Sequence, residues 1–253
     1  MSNAYIYLAS QSPRRQELLK QIGVRYEMLL PAANEDAESI EIPLSNESAH
    51  TYVERVTKAK CQAALKRWKE NDLPWAPILC ADTTVSLPGH SEGEILGKPT
   101  NAEDAVRILS MLSGKVHEVI TGVVIISNDK EVAFYDITEV EFHPIDQEDI
   151  RYYVDNYLPL DKAGAYAAQD DNGEMIARVE GSFTNVIGLP MEALTRELAD
   201  DGRAGAGRGH PRGRPAVPAR AAGVAARGGR RPHPCAGPGR PRAWRPGCRC
   251  ACT

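Results

Sequence analysis

The chain has 253 residues with 30 Lys and Arg against 34 Asp and Glu, but residues 1–201 hold every acid and only 18 of the basic residues, while residues 202–253 hold 12 Arg, no Lys and no acid. An acidic first part excludes a duplex nucleic-acid binder, which needs a basic face; no apolar stretch is long enough for a membrane span, and no basic leader precedes one. Of six cysteines only Cys61 and Cys80 fall in the first 201 residues, without the paired spacing of a disulfide framework or zinc site, so a reducing cytoplasm is expected.

The elements follow in order. Tyr5–Ala9 is a short apolar run suited to a buried strand. Ser12 reads as an N-cap and Pro13 as a first helical residue, ahead of a helix over Arg14–Ile22 that stops at Gly23. Two arginines in a first helical turn oppose the partial positive charge of a helix N-terminus. A bound phosphate would remove the conflict by accepting from the free N–H groups and pairing with both guanidiniums; two solvated arginines are the alternative. Tyr26–Leu30 is strand-like, and the acidic loop after it carries Glu35 and Asp36. Asn46–Trp68 reads as a long amphipathic helix capped by Ser45 or Asn46. Within its stripe of Val53, Val56, Ala63 and Ala64, Lys60 projects among apolar residues. A buried ammonium is costly unless paired, so Lys60 points toward negative charge or else snorkels at the edge of the core.

Pro77–Leu87 is a buried strand carrying Asp82, whose charge must be paired, cap a turn or face a ligand. Lys98 follows in a loop that could meet the same place. Ala102–Leu112 is a helix capped by Asn101 and stopped near Gly114. Val116–Ser127 and Glu131–Phe142 are two long strands around Asn128-Asp129-Lys130, and His117 in the first of them reads as structural. Asp146–Asn156 is a helix capped by Asp146. Asp161–Tyr166 is a tight turn of small residues ahead of Gln169, whose amide could hydrogen-bond a planar base. Met175–Val179 is a strand and Pro190–Leu198 a closing helix. The pattern is α/β with a mixed sheet. After about residue 201 the chain is nearly all Ala, Gly, Pro and Arg, without a periodic apolar face. It reads as a disordered tail, with the composition of GC-rich DNA translated out of frame.

Six segments in order and spacing resemble the Maf family: Ser-x-Ser-Pro-Arg-Arg-x-Glu-Leu-Leu at 10–19, Tyr-Val-x-Arg-Val-x-x-x-Lys at 52–60, Ala-Asp-Thr-Thr-Val at 81–85, Leu-Gly-Lys-Pro at 96–99, Leu-Ser-Gly-x-x-His-x-Val-x-Thr-Gly at 112–122 and Asp-Lys-Ala-Gly-Ala-Tyr at 161–166. The resemblance implies one domain over residues 1–200, with a twisted mixed sheet and a deep cleft of the Maf and ITPase type, and leaves the tail at 201–253 without a counterpart. It implies a nucleoside triphosphate pyrophosphatase of the branch acting on dTTP and UTP, releasing monophosphate and pyrophosphate to cleanse the nucleotide pool. By the same resemblance Asp82 is the proton acceptor. Glu35 and Asp82 lie at a divalent metal, Mg²⁺ or Mn²⁺, and Arg14, Arg15, Lys60 and Lys98 contact phosphate. Arg14, Thr83 and Gln169 match positions of substrate choice. Asp170 stands where the family usually has Gly after the Gln. A homodimer is compatible with the resemblance, and neither a specific nucleic acid nor a membrane is expected as a partner. Two other readings are a nucleotide-binding regulator of cell division and septum formation, and a weak, salt-sensitive polyanion binder acting through the Arg-rich tail.

Overall fold

The computed structural model describes residues 5–32, 35, 39–88, 94–127, 130–170 and 174–203. Its framework is one seven-stranded mixed sheet. In chain order the strands are β1 (Ile6–Leu8), β2 (Tyr26–Met28), β3 (Ile78–Leu87), β4 (Glu94–Leu96), β5 (Val116–Ser127), β6 (Lys130–Phe142) and β7 (Ile176–Glu180). They lie in the order β2-β1-β3-β5-β6-β7, with β4 beside β3. β1 runs parallel to β2 and β3, and the remaining pairs are antiparallel. The mixed α/β reading is thus the observed one.

The helices are α1 (Pro13–Gln21), α2 (Ala49–Glu70), α3 (Ala102–Leu112), α4 (Gln147–Tyr157), α5 (Phe183–Ile187) and α6 (Met191–Arg203). β3 and β5 are buried along nearly their whole length, as strands covered on both faces must be. Each fully buried Leu, Ile or Val there contributes roughly 1.5–3 kcal/mol. Alternation along β3 sorts its neighbours. Ile78 and Cys80 pack with Cys61 and Ala64 of α2, whereas Leu79 and Ala81 pack with Leu18 and Leu19 of α1 and with Leu194 of α6. Further along the sheet, α3 and α4 close over Val85, Val140 and Phe142. His117 lies in this layer, fully buried against Phe142 and Tyr166, with Nε2 2.8 Å from the Tyr166 hydroxyl. Burial pushes its pKa down to about 3, so the ring is neutral at pH 7 and structural, as the sequence suggests.

Several boundaries move. The cap of α2 is Ser48, whose hydroxyl accepts from the Thr51 N–H at 3.2 Å, not Ser45 or Asn46; Asn46 instead takes a left-handed turn position with φ 59°. β4 and α5 were not foreseen, being too short for periodicity to show. α6 continues to Arg203, three residues into the segment read as tail. The rest of that tail, the turn at Asn128 and Asp129, and Asp36 lie outside the described residues.

Candidate active site

β3 carries a gap on one edge. β1 pairs with it only at Ile78 and Leu79, and β4 only from Val85 to Leu87. Among the described residues nothing pairs with the stretch between on that side, while β5 fills the opposite edge from Ile78 to Ser86. Asp82 and Thr83 sit in this gap, where the parallel and antiparallel parts of the sheet meet. Such a switch in strand direction leaves a crevice that open α/β sheets use for ligands. Being consecutive on a strand, the two side chains point to opposite faces.

Asp82 faces α2. It is 9% exposed, and its Oδ1 accepts from the Lys60 ammonium at 2.5 Å. Lys60 lies on the same face of α2 as Val53, Val56 and Ala64, all buried, so the anomaly in the apolar stripe is a paired charge. It also donates to Glu41 Oε1 at 2.7 Å, and Lys98 donates to Glu41 Oε2 at 2.9 Å. Burial opposes the Lys60 charge, but Asp82 and Glu41 outweigh it and hold its pKa above the usual lysine value. Burial likewise opposes the Glu41 charge, and Lys60 and Lys98 outweigh it and hold that carboxyl below its usual range. The close approach of α2 depends on Gly122, the β5 partner of Asp82. A Cβ there would lie 2.5 Å from Thr57 Oγ1 and 3.1 Å from the Val53 carbonyl oxygen.

Thr83 faces α1. Arg15 is buried and spends its guanidinium on three neutral oxygens: Nε donates to the Gly188 carbonyl at 2.7 Å, Nη1 to Ser10 Oγ at 2.9 Å and Nη2 to Thr83 Oγ1 at 2.9 Å. Two of its five N–H groups make no hydrogen bond among the described residues. Burial pushes its pKa below the usual arginine value, with Asp82 pulling the other way, so the two faces feel each other's charge. Thr121 donates to the Asn185 carbonyl at 3.1 Å, and its hydroxyl lies 2.9 Å from that of Thr83. Since Thr121 has one proton and uses it there, Thr83 donates to Thr121 and keeps one lone pair free. Ser12 occupies the cap position of α1, but its side chain makes no capping bond and no acid lies in the first turn.

The structure therefore joins Lys60, Lys98 and Asp82 in one ionic cluster through Glu41, and joins Arg15 to Thr83. Arg14 turns toward Asp161, 3.7 Å away. Asp161 belongs to the small-residue turn, which is tied to the Lys98 loop by the Gly164 N–H donating to the Gly97 carbonyl at 3.1 Å. Gly164 has φ 71°, and a Cβ there would meet Val85 Cγ2 at 2.7 Å, so both torsion and space demand glycine. Gln169 is exposed and makes no hydrogen bond among the described residues. Asp170 accepts from the Tyr153 hydroxyl at 3.0 Å. Glu35 receives two hydrogen bonds from Arg67, at 3.0 and 2.5 Å, and that pairing holds its carboxyl below the usual range. Sequence reasoning passed over Arg67 and Glu41. The apolar period of α2 continues to Arg67 and could have drawn attention to it, whereas Glu41 ends a single 3-10 turn, Ser39–Glu41, too short to show any pattern.

Among the described residues no three His, Cys, Asp or Glu side chains cluster as a metal cage. Asp82 Oδ2 makes no hydrogen bond among them, its partner Lys60 being on Oδ1. One free carboxylate oxygen suits a cation whose other ligands are substrate phosphates and water, the usual arrangement for Mg²⁺.

The family described as Maf-like protein matches residues 5–200. Relatives named dTTP/UTP pyrophosphatase include those of Burkholderia lata, 47% identical over 188 residues, covering 74% of this chain and 88% of that protein. That of Cupriavidus pinatubonensis is 47% identical over 187 residues, covering 74% and 92%, and that of a Polaromonas species is 46% identical, covering 74% and 91%. Among solved structures, the Ham1 protein of Staphylococcus aureus aligns over 78% of this chain and 99% of its own at 14% identity, with a TM-score of 0.40, a likeness too loose to carry an assignment.

Proposed function

This chain belongs to the Maf family, and from that starting point we propose that it hydrolyses dTTP and UTP to the nucleoside monophosphate and pyrophosphate. The observation that carries the reading is the Lys60–Asp82 pair in the β3 gap, a carboxylate with one oxygen free beside cations from α1, α2 and the loop after β4. Lys60 fixes Asp82 through Oδ1, leaving Oδ2 with one lone pair for a divalent cation and the other to accept a proton from water. The water oxygen bonds to the α-phosphorus, the bond from that phosphorus to the bridging oxygen breaks, and the electron pair leaves with pyrophosphate. Lys60, Lys98 and the remaining N–H groups of Arg15 stabilise the charge that spreads over the phosphates. Arg14 stands in the first turn of α1 and can join them once it leaves Asp161.

A divalent cation, Mg²⁺ or Mn²⁺, fits Asp82 as its protein ligand and would neutralise phosphate charge when bound. Glu35, the second acid expected there, would have to exchange its pairing with Arg67 for that role. Thr83 with its free lone pair, and Gln169 with its uncommitted amide, are the groups available to a pyrimidine. Cytoplasmic placement fits two buried free cysteines, and no described helix is long and apolar enough to cross a membrane. A homodimer and the lack of a specific nucleic-acid partner belong to the same proposal. The regulatory reading is not favoured, since the relatives carry names for the hydrolytic activity.

The test is product chromatography with a panel of triphosphates and either metal. Fastest turnover of dTTP and UTP, with monophosphate and pyrophosphate released together, is expected. A diphosphate with orthophosphate would overturn the mechanism, and preference for a methylated GTP would overturn the substrate assignment.

A further inference from the structure

Gln169 is the exposed residue of a segment otherwise turned inward, since residues 164–168 are buried and Asp170 is half-buried. The segment is pinned from within at both ends. Tyr166 is buried, with its hydroxyl 2.8 Å from Nε2 of His117 on β5. Tyr153 of α4 is fully buried and holds the other end with one hydroxyl, which accepts from the Ala167 N–H at 3.2 Å and donates to Asp170 Oδ2 at 3.0 Å. The Asp170 N–H donates to the Ala167 carbonyl at 3.1 Å and closes the turn. Gln169 thus stands between two residues tied to one phenol. Burial pushes the Tyr153 pKa up, so the hydroxyl keeps the proton that Asp170 accepts. Its ring stacks on Tyr157 with centroids 4.9 Å apart, and the same helix leads into the turn whose Asp161 meets Arg14.

The chemistry of the bases gives such a pin a purpose. Uracil and thymine present an N–H beside a carbonyl, at N3 and O4, and one glutamine amide can pair with both. Guanine presents the same pair at N1 and O6, but farther from its ribose because a second ring intervenes. The pattern of donors and acceptors therefore does not separate the two classes. Reach does, and reach is set by where the main chain holds the glutamine. We infer that Asp170 is a positioning residue for base selection: by tying the turn to Tyr153 it holds Gln169 at the reach of a one-ring base and disfavours a purine with the same edge. The inference rests on the reading of Gln169 as the group that meets the base. Asp170 itself need not touch the substrate. Without its carboxylate, Tyr153 grips the turn at Ala167 alone, and Gln169 gains the freedom to draw back for a larger base.

The test measures kcat/KM for UTP and GTP with the full chain and its Asp170→Ala, Asp170→Asn and Gln169→Ala variants. Calorimetric affinities of both nucleotides without divalent metal give a readout independent of turnover. Asp170→Ala should lower the preference for UTP over GTP about tenfold, whereas a merely structural role would depress both substrates alike and leave their ratio unchanged. Asp170→Asn keeps an oxygen for the Tyr153 proton and should keep the wild-type ratio. A ratio unchanged in Asp170→Ala, or lost equally in Asp170→Asn, overturns the inference alone if Gln169→Ala still shifts it. An unchanged ratio in Gln169→Ala overturns the inference together with the reading of Gln169. Should Asp170→Ala fail to fold, Tyr153→Phe is read in its place, because it removes the same bond and should relax the ratio likewise. If no protein hydrolyses either nucleotide while the affinity ratio shifts as stated, the inference holds and the hydrolytic assignment fails.

Discussion

The two faces of β3 hold their cations by opposite means. On the α2 face Lys60 and Lys98 are paired with charged carboxylates. On the α1 face Arg15 is buried and held by a hydroxyl, a second hydroxyl and a backbone carbonyl. Charged partners can be exchanged for other charged partners, so the first arrangement suits an anion that arrives and leaves. Neutral acceptors set by the fold give a fixed fork, with little freedom to rearrange. One face supplies charge that can change hands, and the other supplies geometry.

Asp82→Asn probes the exchangeable face and should have the largest effect. It removes the proposed proton acceptor while Lys60 keeps Glu41 as a partner, so the chain should stay folded and lose about 10²–10⁴-fold in kcat. A loss below tenfold in steady-state kinetics would place water activation elsewhere. Arg15→Lys probes the fixed face. A lysine has no fork to reach Ser10, Thr83 and the Gly188 carbonyl together, and each buried acceptor left unpaired costs about 1–3 kcal/mol. The melting temperature should fall by several degrees; an unchanged value would mean the fork adds nothing to stability.

A pH series sharpens the contrast with the smallest effect. Glu35 and Glu41 have carboxyls held below their usual range. Their pairing stabilises the fold fully above the unfolded carboxylate pKa, about 4.3, and the contribution is lost as pH falls through the depressed folded values. Lys60 is raised, so its contribution persists until pH climbs past the ordinary lysine range. Stability from the ionic cluster should therefore be flat near neutrality and drop in acid, and Glu35→Gln should show a shallower acid-side decline in melting temperature. Arg15→Lys should instead lower the whole curve without changing its slope, because its acceptors do not titrate.

What the sequence revealed follows the same division. Lys60 and Asp82 were legible because each interrupts an apolar pattern, and an ionised group in such a place requires a partner. Arg15 was legible as a charge in the wrong turn of a helix, but its engagement with Gly188, 173 residues away, was not. Such a contact is created by α5, a helix of five residues that no periodicity announces. Glu41 left no trace because an acid in a single 3-10 turn has no local pattern to break. Glu35 was placed by family resemblance alone, and its pairing with Arg67 could be known only once β2 and α2 were seen side by side. The cap of α2 at Ser48 was missed for a related reason: Ser45, Asn46 and Ser48 offer three equivalent caps within four residues, and the tertiary path of the preceding loop chooses among them.

Gly122 has a bearing on how relatives of this chain should be judged. A single added carbon at this position would act as a wedge between sheet and helix, against a Thr57 hydroxyl only 2.5 Å away. Lys60 is one turn further along the same helix, so it would recede from Asp82 although both residues were still present. A homologue could keep every charged side chain of the cluster and be crippled by one methyl group on the neighbouring strand. Counting the polar residues would certify such a protein as intact; the spacing that makes them reactive is recorded in a residue with no side chain.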